Sequence, residues 1–252
     1  MKVIRPGHEI LTPISDGGLE ELIDIERIAR TCYKSEPRVP REGETAEDVT
    51  KQFVSGLIKR GHEAMLEHST LSVRFVCDRG VSHELVRHRM ASFAQESTRY
   101  CNYSKQKFGS EVTFIVPCYL NDQNGDGGYE WTKAMLQCEE SYFNLLNLGY
   151  SPQEARAVLP NSLKTEIVVT ANYREWRHIL KLRCAPDAHP QMKELMIPLL
   201  VDLKGKLTTI FGDIDADWEW YCRYMHADSI KVFENCVALY YKPDEEYKDG
   251  NA

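Results

Sequence analysis

Between residues 70 and 79 the chain alternates in hydropathy, with Leu71, Val73, Phe75 and Cys77 all falling on one side. A period of two is the signature of a strand with one buried face, so this segment must join a sheet that covers a core. Gly80 ends the alternation, and Ser82 is placed to cap a helix carrying Leu85, Val86 and the run Arg87-His88-Arg89. A second strand is expected over 164–172, where β-branched residues concentrate, and a short third over 112–116, stopped by Pro117. Helical periodicity marks 19–34 through Leu22, Ile23, Ile25, Ile28 and Ala29. It also marks 45–60, where Thr45 is the expected N-cap, Glu47 and Asp48 sit at the positive dipole end, and Gly61 is the stop. A long helix is expected over 129–148, another with Pro152 in its first turn, and more to about residue 238. Residues 121–128 read as a surface loop rich in turn formers, and 244–252 as a polar tail. Neither a repeat nor a linker interrupts the pattern. The expectation is one α+β domain over residues 1–252, with a central, mostly antiparallel sheet packed by helices.

Charge narrows the function. The chain carries a formal net charge of -7, yet three arginines and a histidine crowd between Arg87 and Tyr100, together with Ser97 and Thr98. Like charges so close repel unless an anion, or a charged neighbour, answers them. Arginine suits planar, bidentate capture of phosphate or carboxylate. On a helix, successive residues do not share a face, so Arg87, His88 and Arg89 fan outward in three directions. A fan fits a junction where ligands or subunits meet, whereas a nucleic-acid stripe repeats every three or four residues. A solvated basic helix face is the plainer reading of the same cluster. The acidic balance argues against a general nucleic-acid binder. No apolar run reaches membrane-spanning length, and the first residues, Met1 to Gly7, lack the apolar core of a secretory signal, so a cytoplasmic protein is expected.

Eight cysteines are scattered without a C-x-x-C pair, which favours reduced, mostly buried thiols over disulfides or zinc. His62 and His68 stand in an H-E-x-x-x-E-H segment, not H-E-x-x-H. Six residues apart, they do not share a helix face, and no catalytic metal is expected.

Several blocks together are similar to the flavin-dependent thymidylate synthases. Arg87-His88-Arg89, then seven residues, then Ser97 resembles that family's signature. Gly61-His62-Glu63 with Glu67-His68 resembles its His-Glu segment, and Glu154 through Pro160 its AR-x-x-LP stretch. Thr170 through Trp176, Leu182-Arg183, and His189-Pro190-Gln191 resemble its C-terminal site segments. The blocks run in the family's order over roughly residues 60 to 192.

The resemblance implies an enzyme that methylates dUMP to dTMP, with 5,10-methylenetetrahydrofolate as one-carbon donor, FAD as hydride carrier and NADPH as reductant. It implies a homotetramer with sites shared between subunits. By the same matching, Arg87, Ser97, Thr98, Arg99, Arg156 and Arg183 bind the nucleotide, with Glu84 and Gln95 at positions that vary in the family. His62, Glu67, Arg87, His88, Arg89, Asn172, Arg174 and His189 match flavin-contacting positions, and His178 and Leu182 lie between those blocks. Arg183 is expected to approach the pyrimidine and activate it electrostatically. Ser97 is read as a nucleotide ligand, since no base beside it is evident to make it a nucleophile. Ala94 stands where many family members have Asn, and Ala64 where some have a hydroxyl residue, which bears on flavin contacts. Two rivals remain open: a flavin or nucleotide reductase without folate chemistry, and a non-enzymatic nucleotide- or RNA-binding protein. A dehydrogenase of the dinucleotide-binding βαβ type is disfavoured, because no G-x-G-x-x-G follows a strand.

Overall fold

Two nine-residue strands, β3 (Thr70–Asp78) and β6 (Lys164–Asn172), pair antiparallel along their whole length and form the centre of the computed structural model, which describes residues 1–104, 110–120 and 126–224. The register runs from Thr70 opposite Asn172 to Asp78 opposite Lys164. As the alternation demands, Leu71, Val73, Phe75 and Cys77 are buried on one face, joined there by Ile167, Val169 and Ala171 of β6. Burial stabilises each large apolar side chain here by roughly 2 kcal/mol. Strand β2 (Gly7–Ile10) adds to the outer edge of β3, and β4 (Ala91–Gln95) to the outer edge of β6, giving the order β2-β3-β6-β4, all antiparallel. Separately, β1 (Lys2–Ile4) and β5 (Thr113–Ile115) pair in parallel.

Helices cover the buried face. Helix α1 (Leu19–Tyr33) packs on α2 (Ala46–Lys59), whose first turn is closed by a reciprocal capping box between Thr45 and Asp48. Helix α3 (Arg79–Leu85) follows β3 directly, and α6 (Tyr173–Arg183) follows β6 just as directly. The indole of Trp176 donates to the carbonyl of Leu71 at 2.9 Å, which ties α6 onto β3. Helix α7 (Pro190–Lys206) is buried over most of its circumference, from Met192 and Leu195 to Leu203, and so lies inside the core rather than on it. The short helices α8 (Thr208–Phe211) and α9 (Trp218–Tyr224) close that side. A smaller apolar cluster gathers Val112, Phe114, Leu163 and Tyr142 under the long helix α4 (Asp126–Asn147), followed by the single turn α5 (Pro152–Ala155).

The expected α+β architecture with a mostly antiparallel sheet is the observed one. Four details differ. The cap of α3 is Asp78, whose carboxylate accepts from the Val81 amide at 2.8 Å; Ser82 lies one turn inside and donates to the carbonyl of Arg79. The helix stops at Leu85, so Arg87-His88-Arg89 occupies the turn between α3 and β4 rather than a helix face. Strands β1, β2 and β4 escaped the sequence pattern because each is short, and Ala-Ser-Phe-Ala-Gln has little strand preference until β6 pairs with it. Of the loop expected over 121–128, residues 126–128 instead form the first turn of α4; residues 121–125, and everything expected beyond residue 224, lie outside the described residues. No disulfide joins the described cysteines, and no helix among the described residues is long and apolar enough to cross a membrane.

One buried cation clamps three segments. Arg177 of α6 is almost fully enclosed and donates to Glu63 at 3.1 Å, to both oxygens of Asp213 at 2.6 and 2.8 Å, and to the carbonyl of Ile210. These bonds hold the stretch before β3 and the chain after α8 against α6. Removing Arg177 breaks both ion pairs and leaves the buried Ile210 carbonyl without its donor, and breaking such a buried pair costs about 3 kcal/mol. Arg177→Met is therefore expected to lower the denaturant midpoint by an amount equivalent to about 3 kcal/mol, whereas Arg27→Met, on an exposed pair, is expected to change it by less than about 0.5 kcal/mol.

Candidate active site

The strand register brings three chain segments to one end of the sheet. Thr70 lies opposite Asn172, and Ala91 lies opposite Ala171, so the start of α6, the 3-10 turn Glu63–His68 and the turn entering β4 converge there. Asn172 caps α6, its side-chain oxygen accepting from the Glu175 amide at 2.8 Å. A cavity of about 510 Å³ opens beside this helix start, lined by Glu63, Glu67, Met90, Asn172, Arg174, Glu175, His178 and Lys181. Arg174 donates to Glu67 at 2.5 Å across it, a contact between residues 107 positions apart. Guanidinium, ammonium, imidazole and amide donors face this cavity together with the carboxylates of Glu63, Glu67 and Glu175, a mixed lining suited to a ligand that both donates and accepts hydrogen bonds.

His88 and Arg183 meet next to this cavity. The His88 ring is buried and stands edge-on to His178, with ring centroids 6.1 Å apart. The Nε–H of Arg183 donates to His88 Nε2 at 3.0 Å, and its Nη1 to the Glu84 carboxylate at 2.7 Å. Its Nη2 reaches the Glu84 carbonyl at 3.4 Å. Burial, then the charge of Arg183, then His178 pull the His88 imidazole down to about 4, so it is neutral at physiological pH. Its other nitrogen, Nδ1, lies 3.7 Å from Glu175. His88, Glu175 and His178 offer ligand atoms all within 4.8 Å of one another, a grouping no local spacing announced because it joins two distant segments.

The remaining predicted residues divide. Gln95 points back toward the sheet, donating to Ser82 at 2.9 Å and Thr165 at 3.2 Å. Beyond β4, Ser97 accepts from the Arg99 amide at 3.3 Å, Arg156 donates to the buried Thr98 hydroxyl at 3.0 Å, and the Arg99 guanidinium sits over the Tyr100 ring. Arg183 with Glu84, and Arg156 with Thr98, thus form two separate contacts, and no hydrogen bond links them directly within the chain. Arg87 and Arg89 are exposed and make no side-chain hydrogen bond or ion pair among the described residues. Leu182 is also exposed. His62 immediately precedes the 3-10 turn and is exposed, while His189 caps the start of α7 and packs edge-on to Tyr119.

Four of the predicted flavin residues, Glu67, Asn172, Arg174 and His178, therefore share the cavity, and His88 touches its wall through His178. His62, Arg87, Arg89, Leu182 and His189 do not line it. Glu63, Met90, Glu175 and Lys181 line it without having been anticipated. Glu175 precedes His178 by three residues on α6, and Lys181 follows His178 by three and Arg174 by seven, spacings that share a helix face and could have flagged both once the helix start was known. A larger cavity of about 840 Å³ lies between α1, α2 and residues 34–40 and holds none of these residues. Size alone is a poor guide here, since the smaller cavity carries the convergent charged and hydrogen-bonding groups.

A model of the family described as thymidylate synthase complementing protein matches residues 20–207. The chain is 35% identical over 187 residues to the flavin-dependent thymidylate synthase of Geobacter sulfurreducens, covering 73% of this chain and 78% of that one. It is 33% identical over 201 residues to the Pyrococcus abyssi protein of that name, covering 79% and 75% respectively. Against the Corynebacterium efficiens protein of the same name it is 30% identical over 217 residues, covering 79% and 81%. The family match spans every residue gathered above, from His62 to His189, and with it the chain is an enzyme belonging to the family of flavin-dependent thymidylate synthases.

Proposed function

We propose that the enzyme methylates dUMP to dTMP, taking a methylene from 5,10-methylenetetrahydrofolate and two electrons from NADPH by way of FAD. The observation that carries this reading is Arg183, a guanidinium held by three hydrogen bonds beside a cavity lined by Arg174, Asn172 and His178. A methylene becomes a methyl only by gaining a hydride, so the reaction needs a two-electron reductant besides its carbon donor. Bound flavin supplies that hydride chemistry, and the protein supplies binding, orientation and fixed charge.

The flavin would be held by Glu67, Asn172, Arg174 and His178 in the cavity, with His88 packed behind His178; the resemblance adds His62, Leu182 and His189, which do not line it. Arg87 and Arg89, exposed and without a side-chain partner among the described residues, suit a pyrophosphate, which asks for charge-assisted donors. Ser97, Thr98, Arg99 and Arg156 take the nucleotide phosphate, while Arg183, paired with Glu84, faces the uracil. The homotetramer with sites shared between subunits belongs to the same reading and rests on the family resemblance.

Arg183 has five N–H donors, of which three are engaged by His88 and Glu84. The remaining donors can meet a uracil carbonyl. A guanidinium stays charged at any working pH, so it stabilises the negative charge that develops on that oxygen as C5 becomes nucleophilic.

Purified protein loaded with FAD is expected to keep a visible flavin band that NADPH bleaches anaerobically, faster when dUMP is present. Bleaching indifferent to dUMP favours a reductase without folate chemistry, and no retained flavin overturns the proposal. Arg183→Ala is expected to lower dTMP formation by at least about 100-fold while flavin stays bound. Near-normal thymidylate formation in that variant refutes the role. Ser97→Ala is expected to raise the Kd for dUMP by about tenfold, the loss of one charged-partner hydrogen bond, and to leave measurable turnover. Complete loss of turnover with dUMP affinity and flavin intact would instead make Ser97 an attacking group.

A further inference from the structure

Glu175 is half-buried at the start of α6 and makes no side-chain hydrogen bond among the described residues; its carboxylate lies 3.7 Å from the His88 ring, with a nitrogen of His178 within 4.8 Å. What that contact can do follows from the other side of the ring. Arginine has only donors, and its Nε–H points at His88 Nε2 at 3.0 Å. His88 Nε2 must therefore present a lone pair. In a neutral imidazole that puts the ring hydrogen on Nδ1, the nitrogen facing the Glu175 carboxylate. The groups packed around the ring are Arg183 and Glu84 on one side, and Glu175 and His178 on the other. Among them Glu175 is the anion facing Nδ1, so it favours the tautomer that Arg183 requires. The opposite tautomer would aim Nε2–H at the Arg183 donor and a bare lone pair at a carboxylate, an unfavourable contact at both ends.

We propose that Glu175 is a positioning residue: its carboxylate fixes His88 as the Nδ1–H tautomer, and His88 in turn holds Arg183 in its working orientation. The line runs from Glu175 through His88 to the Nε of Arg183, while Glu84 steadies the far end of the guanidinium. Metal-binding histidines are oriented by a carboxylate on their second nitrogen in the same way. Here the group being oriented is a guanidinium. The inference rests on the proposed role of Arg183 for its catalytic consequence, but the tautomer itself is a property of the folded chain.

Two measurements separate the two. In protein with 15N-labelled histidine, two-bond nitrogen–proton spectra read the tautomer of each ring directly, with His88→Gln identifying its signals. The native protein is expected to show His88 as Nδ1–H at pH 7. Glu175→Gln, which keeps a carbonyl acceptor, is expected to retain that tautomer and to keep kcat within about threefold. Glu175→Leu, which removes the acceptor at similar volume, is expected to mix the tautomers and to lower kcat about tenfold, the usual cost of losing such a support, with KM for dUMP and flavin content nearly unchanged. An unchanged tautomer in Glu175→Leu overturns the proposal whatever the activity. Loss of flavin instead of kcat also overturns it, since Glu175 would then be a direct cofactor contact. If the native protein forms no dTMP, the functional reading fails while the tautomer measurement still decides the relay.

Discussion

The pairing of β3 with β6 is the constraint on which the rest of the molecule depends. Nine residues on each side lock in one register, and the alternation of buried positions allows no slip, because a shift by one would turn Phe75 and Val73 out into solvent. Each strand runs directly into a helix. The register therefore also fixes where α3 and α6 begin, and hence which of their side chains can meet. Asn172 opposite Thr70 sets Arg174 against Glu67. Ala91 opposite Ala171 returns the chain after α3 to the same end of the sheet, carrying His88 to Arg183.

Electrostatically, the site combines cations that are already answered with others that are not. Arg177 and Arg183 are bound to carboxylates, and these contacts rigidify the scaffold. Arg87 and Arg89 are exposed and unpaired among the described residues, in a chain whose net charge is -7. An acidic protein that leaves two neighbouring arginines unanswered has local positive potential available for an anion. His88 sits between these regimes. Burial keeps it uncharged, so it can accept a hydrogen bond from a guanidinium that an imidazolium would repel.

Much of the scaffold was legible beforehand because its signals are local. The period of two in β3, the Thr45 cap of α2 and the β-branched run of β6 each announce their element within a few residues. The cap of α3 was misread at Ser82 because serine and aspartate are both good caps; Asp78 holds that place since the strand ends there and the helix begins at the next residue. Strand β4 was illegible for a different reason. Its residues form a strand because β6 offers them an edge.

The residue types of the site were also legible, since clustered arginines and histidines in ordered blocks point to anion and flavin chemistry. Their partners were not. Arg174 with Glu67, Arg183 with His88 and Arg177 with Asp213 are separated by 107, 95 and 36 residues, and nothing in the spacing of either partner names the other. The sequence by itself determined the strands β3, β5 and β6, most helix starts and the family, because these rest on neighbouring residues and on ordered motifs. Only the tertiary structure decided that Glu175 faces His88, that His88 must accept, and that Arg183 is held from both ends. Those contacts exist only once two strands fix the relative height of the helices that follow them.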